Sequence, residues 1–423
     1  MIRLIWFEFY KLFCKRSIFV VLLVFSVINL FKIQNEFKSY SYLADNGENK
    51  SWSSVYWKLY EEYSGEITME KIDKLLALYQ PLKEATVDMT ANTAMDNPDT
   101  MTGNIYSDRN LLDKYYVEPM EQFYNYESLA REVAEKAREN VSIYEEKGQE
   151  YEVRKNSVIY NLYSGREISS FSYREMYNYY LNYDFSTVLI LLLCMYGIVG
   201  TFVSEKETQM DMLILSNPKG GKKTVFSKII AASLFVVAVS LWFSVLDYIG
   251  FTLFFGTTEG YNLPIYAIQN FCTSSVSWSL CWHTTVSALV RALGAWYMGM
   301  LLLLISMFWR NALIPFVSGF GLGLCIILAG ASCSSLSNVW MKVINPYSLL
   351  TNRILFGRTE FINVAGYPVL SYIGAVFFAV LAGGAIMMVI VFLSAKNVYC
   401  HAIGNGRKNV CFYIRIKKND AVS

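Results

Sequence analysis

Four long, uncharged runs of apolar residues constrain this sequence more than any other feature. They cover Phe185–Val203, Ile229–Leu246, Asn311–Gly330 and Val369–Ala395. Roughly 18 or more such residues in a helix can cross a hydrocarbon core about 30 Å thick, and the helix satisfies its own backbone hydrogen bonds there. A hydrophobic fraction of 54% and a charged fraction of 17% agree with a chain that lies largely in lipid. We therefore predict an integral membrane protein.

Two weaker runs complete a set of six spans. One lies within Thr284–Phe308, where Arg291 interrupts the apolar residues, and the other within Ser17–Phe31, which is short and ends before Lys32. The basic residues before this first run are also typical of a secretory signal, but no small-residue cleavage site follows it. We therefore expect the first run to be retained as a membrane anchor.

Basic residues near the ends of the runs predict the topology. Positive side chains close to a span tend to remain on the cytoplasmic side. Six spans place all such groups on one side: before the first span, between the second and third, between the fourth and fifth, and after the sixth. The long segment 34–184, in which acidic residues outnumber basic ones, then lies outside. We expect a multi-pass plasma-membrane protein with both termini in the cytoplasm.

The predicted fold class is an all-α integral membrane protein with an amino-terminal interfacial helix and a mainly helical extracellular domain. Several stretches of the segment between the first two spans show the spacing of amphipathic helices. The predicted parts are an amphipathic helix at 1–16, the first span at 17–33, the extracellular domain at 34–184, a five-span region at 185–395 that includes a cytoplasmic loop at 204–228, and a basic cytoplasmic tail at 396–423.

The sequence offers few residues for catalysis. Its two histidines, His283 and His401, are too few for a multi-histidine metal site or a repeated acid-base relay. The segment Asn217–Thr224 superficially resembles a phosphate-binding loop, but it lacks the required first glycine and the Ser or Thr directly after Gly-Lys. We expect no enzymatic activity, no cofactor, no metal and no nucleic-acid partner. His283 is expected to be a satisfied histidine at the outer interface.

Arg291 is the one basic residue well inside a predicted span. An intramembrane charge is a functional candidate by default, and Asp247, which ends the third span on the same side, is its expected partner. The alternative is that the fourth span begins nearer Leu289 and that Arg291 extends its guanidinium to the outer surface. The sequence favours this second interpretation.

The segment after the second span carries a family resemblance. It is a short charged helix, rich in leucine, that ends at Asn217-Pro218 and is followed by a Gly-Lys turn. This arrangement resembles the coupling-helix region of type-2 ATP-binding-cassette (ABC) exporter permeases. The amphipathic amino-terminal helix and the six-span layout are similar too, so that the resemblance covers residues 1–33 and 185–395.

The resemblance implies a permease subunit that exports a hydrophobic or amphipathic substrate with ATP hydrolysed by another polypeptide. Two permease copies, or this chain and a related one, would rest on cytoplasmic ABC ATPase subunits and be surrounded by membrane lipids. The residues that would contact the ATPase are Glu205, Glu207, Asp211, Leu213 and Leu215. Lys219, Lys222 and Lys223 would act as supporting charges or lipid anchors.

Three alternatives stay open at this point. The chain could be a non-transporting membrane sensor or envelope-assembly protein whose extracellular domain binds a peptide or protein partner. Glu205, Glu207 and Asp211 could lie in an ordinary solvated helix beside the membrane. The outer segments 261–283 and 331–368 could be interfacial helices or could dip back into the bilayer, where protein or a water-filled cavity must cover irregular backbone.

Overall fold

Helices make up most of the structure, which is a computed structural model that describes residues 1–40, 50–88, 101–102, 104–208, 210, 221–309, 311–333 and 338–404. In chain order the helices of these residues are α1 (Ile2–Phe13), α2 (Arg16–Lys38), α3 (Lys50–Tyr63), α4 (Met69–Asp88), α5 (Ile105–Leu112), α6 (Glu118–Glu146), α7 (Glu150–Tyr163), α8 (Glu175–Leu181), α9 (Phe185–Glu207), α10 (Gly221–Phe255), α11 (Leu280–Phe308), α12 (Leu313–Cys333), α13 (Val339–Ile344), α14 (Pro346–Thr351), α15 (Arg353–Phe356) and α16 (Ser371–Gly404). A π-helical turn at Asp113–Val117 joins α5 to α6.

Four short strands form two antiparallel ribbons within the described residues. β1 (Gly65–Glu66) pairs with β2 (Ser170–Phe171), and β3 (Phe361–Val364) pairs with β4 (Tyr367–Leu370). In the second ribbon Ala365 and Gly366 form the turn, and both have positive φ angles, of 51° and 84°. Such a pair of left-handed residues matches the twist of a tight hairpin. The predicted all-α fold did not include these two ribbons, which are short additions to a mostly helical chain.

Six helices are long and apolar enough to cross a membrane, so this is a multi-pass membrane protein. They are α2, α8 together with α9, α10, α11, α12 and α16. The predicted count of six spans is confirmed by this set. The first span is longer than predicted, because α2 continues past Lys32 to Lys38. Lys32 is accommodated there by an ion pair with Glu36, one turn further along, at 2.6 Å.

The bundle has two distinguishable ends, which we name by what they carry. At the α1 end, α1 packs on α10, and the rings of Phe13 and Phe235 stack at 4.3 Å. At the domain end, the segment between α2 and α8 forms a helical unit of α3 to α7 and the first ribbon. Phe37 of α2 and Phe255 of α10 meet there at 5.0 Å.

Tyrosines form much of the core of the domain. Tyr116 is fully buried and donates a hydrogen bond to the backbone oxygen of Tyr56, and burial raises the pKa of both phenols. Tyr126 stacks on Tyr266 at 4.6 Å and donates to the Cys272 oxygen at 3.1 Å. Contacts of Tyr126 therefore fix the domain to the connection between α10 and α11, in addition to its chain links to α2 and α8.

The segments 261–283 and 331–368, which were expected to lie outside, differ in structure. The connection between α10 and α11 contains two 3₁₀ turns, Ile265–Ala267 and Gln269–Phe271, and not the interfacial helix that was one of the two alternatives. The later segment reaches into the bundle, because α14 packs on α11 at Gly294, near the middle of that helix. A Cβ atom at Gly294 would lie 2.7 Å from the Cβ of Leu349, so only glycine permits this contact without a shift.

Candidate functional site

Two clusters of mostly buried charged and polar side chains lie near opposite ends of α9. The Arg291 cluster consists of Arg291, Asp247, Asn29, Ser186 and Thr187, and the Glu205 cluster consists of Glu205, Lys228, Lys11 and Glu8. With a rise of about 1.5 Å per residue, Ser186 and Glu205 are separated by about 28 Å along the helix. The same span therefore joins one cluster at the domain end to the other at the α1 end.

The guanidinium of Arg291 makes three hydrogen bonds to two other spans. Nη1 donates to Asp247 Oδ2 at 3.0 Å, while Nη2 donates to Ser186 Oγ at 2.6 Å and to Thr187 Oγ1 at 2.9 Å. Only 8% of Arg291 is exposed. The favoured sequence interpretation, in which this guanidinium reached the outer surface, is therefore wrong. Inside the bundle, a carboxylate and two hydroxyls accept the hydrogen bonds that water would accept from a guanidinium at the surface.

The carboxylate of Asp247 is equally well bonded. Asn29 Nδ2 donates to Oδ1 at 2.6 Å, and Ser186 Oγ donates to Oδ2 at 2.5 Å. Tyr183 in turn donates to Asn29 Oδ1 at 2.8 Å. Because ionised groups are expensive to bury, this dense bonding is what makes a charged pair tolerable at such depth. The first four spans thus share one polar cluster.

The sequence indicated two members of this cluster and missed three. Arg291 and Asp247 stood out as charges near apolar runs, and the structure joins them. Asn29 could have been noticed as an amide inside the first apolar run, where such a side chain often bonds another helix. Ser186 and Thr187 carry no comparable signal, because hydroxyl residues are common at the start of a span.

His283 lies deeper than the sequence suggested. It is buried beside the rings of Phe271, Trp278 and Phe356, with centroid distances of 6.0, 6.4 and 5.0 Å. Its Nδ1 atom has no hydrogen-bond partner in the described chain. Residues of both segments, 261–283 and 331–368, cover the ring, and its place at a membrane interface stays a prediction. The side chain of His401 lies outside the described residues.

The Glu205 cluster fixes α1 to the second and third spans. Lys11 of α1 donates to Glu205 Oε1 at 2.7 Å, and Lys228 of α10 pairs with Glu205 Oε2. Lys228 is almost fully buried, and its ammonium also lies 5.3 Å from the centre of the Phe202 ring. Glu8 of α1 is buried beside these groups, and its Oε2 atom has no hydrogen-bond partner among the described residues. Burial raises its pKa, although Lys228 and Lys11 act to lower it.

The residues predicted to contact an ATPase differ in their exposure and in their bonding partners. Both carboxylate oxygens of Glu205 are occupied by lysines, whereas Glu207 is exposed and accepts a 3.0 Å hydrogen bond from the backbone of Ala312. Lys222 and Lys223 are exposed at the start of α10. The other predicted residues, Asp211, Leu213, Leu215 and Lys219, lie outside the described residues. The ATPase contact itself stays a prediction.

The described residues include no group of three or more His, Cys, Asp or Glu side chains suited to hold a metal ion. No family model matches the sequence, and no curated protein matches it either. The fold is that of a multi-pass helical membrane protein. Its candidate functional sites are the two clusters and the surfaces beside them.

Proposed function

We propose that this chain is the permease subunit of an ABC exporter, which moves a hydrophobic or amphipathic substrate with ATP hydrolysed by a separate cytoplasmic subunit. The observation that carries the proposal is the convergence of four chain segments at the α1 end. These are α1, the end of α9, the start of α10 and the connection between α11 and α12. The loop 204–228, where the family resemblance is strongest, begins and ends at this point.

The contacts at this end would couple the loop to several spans at once. Glu205 bonds α1 and α10 to α9, and Glu207 bonds α9 to the backbone of Ala312. Lys206 adds a hydrogen bond to the backbone oxygen of Met307 near the end of α11. We assign Glu205 a positioning role, because its oxygens already hold two lysines. Glu207, with Lys222 and Lys223, is then the better candidate for direct contact with an ATPase.

A push on the loop would travel along α9 to the domain end. The Arg291 cluster there ties α9 to α2, α10 and α11. The first four spans would therefore tilt as a unit between inward-open and outward-open states, which is the kind of rigid-body motion that closing ATPases can drive. The proposal therefore requires that α9 move as one rigid element between the two clusters.

The amino-terminal helix supports placing the α1 end at the cytoplasm. Ile2, Trp6, Phe7 and Tyr10 of α1 are exposed apolar or aromatic residues. Such a face is suited to the boundary between headgroups and acyl chains. The proposed topology therefore has α1 on the inner leaflet, both termini in the cytoplasm, and the domain between α2 and α8 outside.

The buried charges favour an apolar cargo over a small ion. Among the described spans, Arg291 pairs with Asp247 and Lys228 pairs with Glu205, so these four charges already neutralise one another. Exposed apolar residues cover one side of α12, including Leu313, Val317 and Leu328. We propose that lipid or a second permease copy covers this side.

Gentle detergent extraction of the tagged chain from its native cells, with mass spectrometry of copurifying proteins, tests the proposal. A soluble protein with Walker motifs should be recovered in roughly equal amount. Glu207→Ala should reduce its recovery, whereas Glu139→Ala, the same change at an exposed site on domain helix α6, should not. Wild-type chain without such a protein would contradict the proposal.

A second candidate is a sensor or envelope-assembly protein, and one observation favours it. Two surface grooves of about 460 and 380 Å³ lie on the domain and share Glu167, Ile168 and Ser169 in their walls. Residues 34–184 carry 27 acidic and 16 basic side chains, which suits a cationic peptide partner. Recovery of an envelope protein that depends on this domain, with no ATPase, would make this candidate the leading one.

A further inference from the structure

A small polar cavity lies beside the Arg291 cluster. Its volume is about 30 Å³, and its walls include Asp247, His283, Ser287, Arg291 and Asn352. Asp247 and Arg291 belong to the third and fourth spans, and Asn352 belongs to the segment that reaches into the bundle. The cavity therefore lies between the spans and that segment.

Three buried polar atoms of these residues have no hydrogen-bond partner in the described chain. They are Arg291 Nε, His283 Nδ1 and Asn352 Oδ1, on side chains that are 8%, 1% and 5% exposed. Buried polar groups are almost always bonded, and three exceptions around one cavity need a common explanation. A molecule inside the cavity within hydrogen-bond distance of all three atoms would explain them.

The bonding pattern of the walls identifies the kind of molecule. Arg291 Nε can only donate. Asn352 Nδ2 already donates to the backbone oxygen of Ser287 at 2.9 Å and to its hydroxyl at 2.8 Å. That contact with a carbonyl fixes the amide orientation, so Asn352 Oδ1 is an acceptor. His283 Nδ1 can act in either way, and the occupant must therefore donate and accept hydrogen bonds at once.

We propose that the cavity is a binding site for water, which links His283 to the Asp247–Arg291 pair. A water molecule needs about 10–15 Å³ of such volume, so the cavity admits one or two. An anion would be repelled by Asn352 Oδ1, and a cation would be repelled by Arg291. Water accepts from Arg291 Nε–H and donates to the other two atoms. This inference does not depend on the proposed transport function.

The backbone of Asn352 supports a site that is held in place. Its φ angle is +57° with ψ of −37°, a combination that residues other than glycine seldom adopt. Such strain persists only where the surroundings determine it. Here the two hydrogen bonds to Ser287 hold the amide of Asn352, a residue of the cavity wall, in one orientation.

One residue of the cavity wall is exposed at the domain end. Arg353 lines the cavity, has a side chain that is 44% exposed, and pairs with Asp184 at 2.8 Å. This ion pair therefore lies beside the cavity at the domain end.

The variant His283→Phe tests the proposal by the sign of its effect. Phenylalanine keeps a ring of similar shape among Phe271, Trp278 and Phe356 but removes the nitrogen atoms. If Nδ1 bonds water, the substitution breaks that bond and lowers the midpoint of thermal unfolding. If Nδ1 has no partner, removing a buried unsatisfied atom leaves the midpoint unchanged or raises it, and the proposal is overturned.

Ser306→Ala is the matched control, because Ser306 Oγ is also buried without a partner in the described chain but is absent from the cavity walls. It should leave the midpoint unchanged or raise it. A high-resolution experimental map of the wild-type protein gives an independent readout if His283→Phe does not fold. Density of water size within hydrogen-bond distance of all three atoms is expected, and density of an ion, or none, would overturn the proposal.

Discussion

Removing the carboxylate of Asp247 should destabilise the protein severely. In Asp247→Ala the Arg291 guanidinium stays buried and loses its one charged partner, while Asn29 Nδ2 loses its acceptor. Breaking a buried ion pair on one side typically costs about 3–5 kcal/mol, because an uncompensated charge stays behind. We expect a loss of free energy of unfolding in this range.

The pair between Arg353 and Asp184 is the matched comparison. It has a similar distance, 2.8 Å against 3.0 Å, but the side chain of Arg353 is partly exposed. Water screens such a pair, whose contribution is about 0–1 kcal/mol. Asp184→Ala should therefore cost much less than Asp247→Ala.

The assay is reversible unfolding in mixed micelles with increasing sodium dodecyl sulfate, followed by tryptophan fluorescence or circular dichroism. The double variant Asp247→Ala with Arg291→Leu should recover much of the loss, since it removes both charges together. Equal losses of free energy of unfolding in Asp247→Ala and Asp184→Ala would show that burial does not set the cost. Additive losses in the double variant would show the same.

Three further predictions concern the α1 end and the contact between α11 and α14. Glu205→Gln leaves two lysines without their carboxylate and should loosen α1, which engineered disulfide crosslinking between α1 and α10 would detect as a lower yield. Burial raises the pKa of Glu8, so its stabilising contribution is present below the ordinary value of 4.5 and is lost as the pH rises through the folded-state pKa. The free energy of unfolding should therefore fall as the pH rises above 4.5, and Glu8→Gln should abolish that component; an unchanged pH profile would contradict this. Gly294→Ala places a methyl group 2.7 Å from Leu349 Cβ and should cost about 1–3 kcal/mol. Gly384→Ala, with no atom within 4 Å of the new methyl, should be neutral or stabilising in the same unfolding assay, and equal costs would refute the contact.

The spans could be predicted because the bilayer imposes a local rule. A helix that crosses lipid must be apolar along its whole length, so each span is visible in its own sequence. The exception was the first span, where a lysine inside the helix made the run look shorter than it is. Its ion pair one turn away was the missing information.

The polar clusters could be predicted only in part, because their members come from distant parts of the chain. Asn29 and Asp247 are 218 positions apart, and Lys11 and Glu205 are 194 apart. Without the fold, Glu205 looks like a surface acid in a charged loop. Its burial follows from the position of α1, which no local pattern specifies.

The segment that reaches into the bundle at Gly294 could not be predicted from the sequence either. Its helices α13 to α15 have only four to six residues, too few to show a helical period. The β3–β4 hairpin turns at Ala365-Gly366, which is not among the strong hairpin signals such as Asn-Gly. Both elements depend on packing against the spans, and the sequence left their depth undecided.

The central claim is that an ATPase contacts the α1 end of this chain, and lysine-directed crosslinking with mass spectrometry in native membranes tests it most directly. Lys222 and Lys223 are exposed at the start of α10, and Lys136 and Lys147 are exposed on the domain. We expect crosslinks from a Walker-motif protein to the first two lysines and none to the domain pair. Crosslinks of partner proteins only to Lys136 or Lys147 would contradict it.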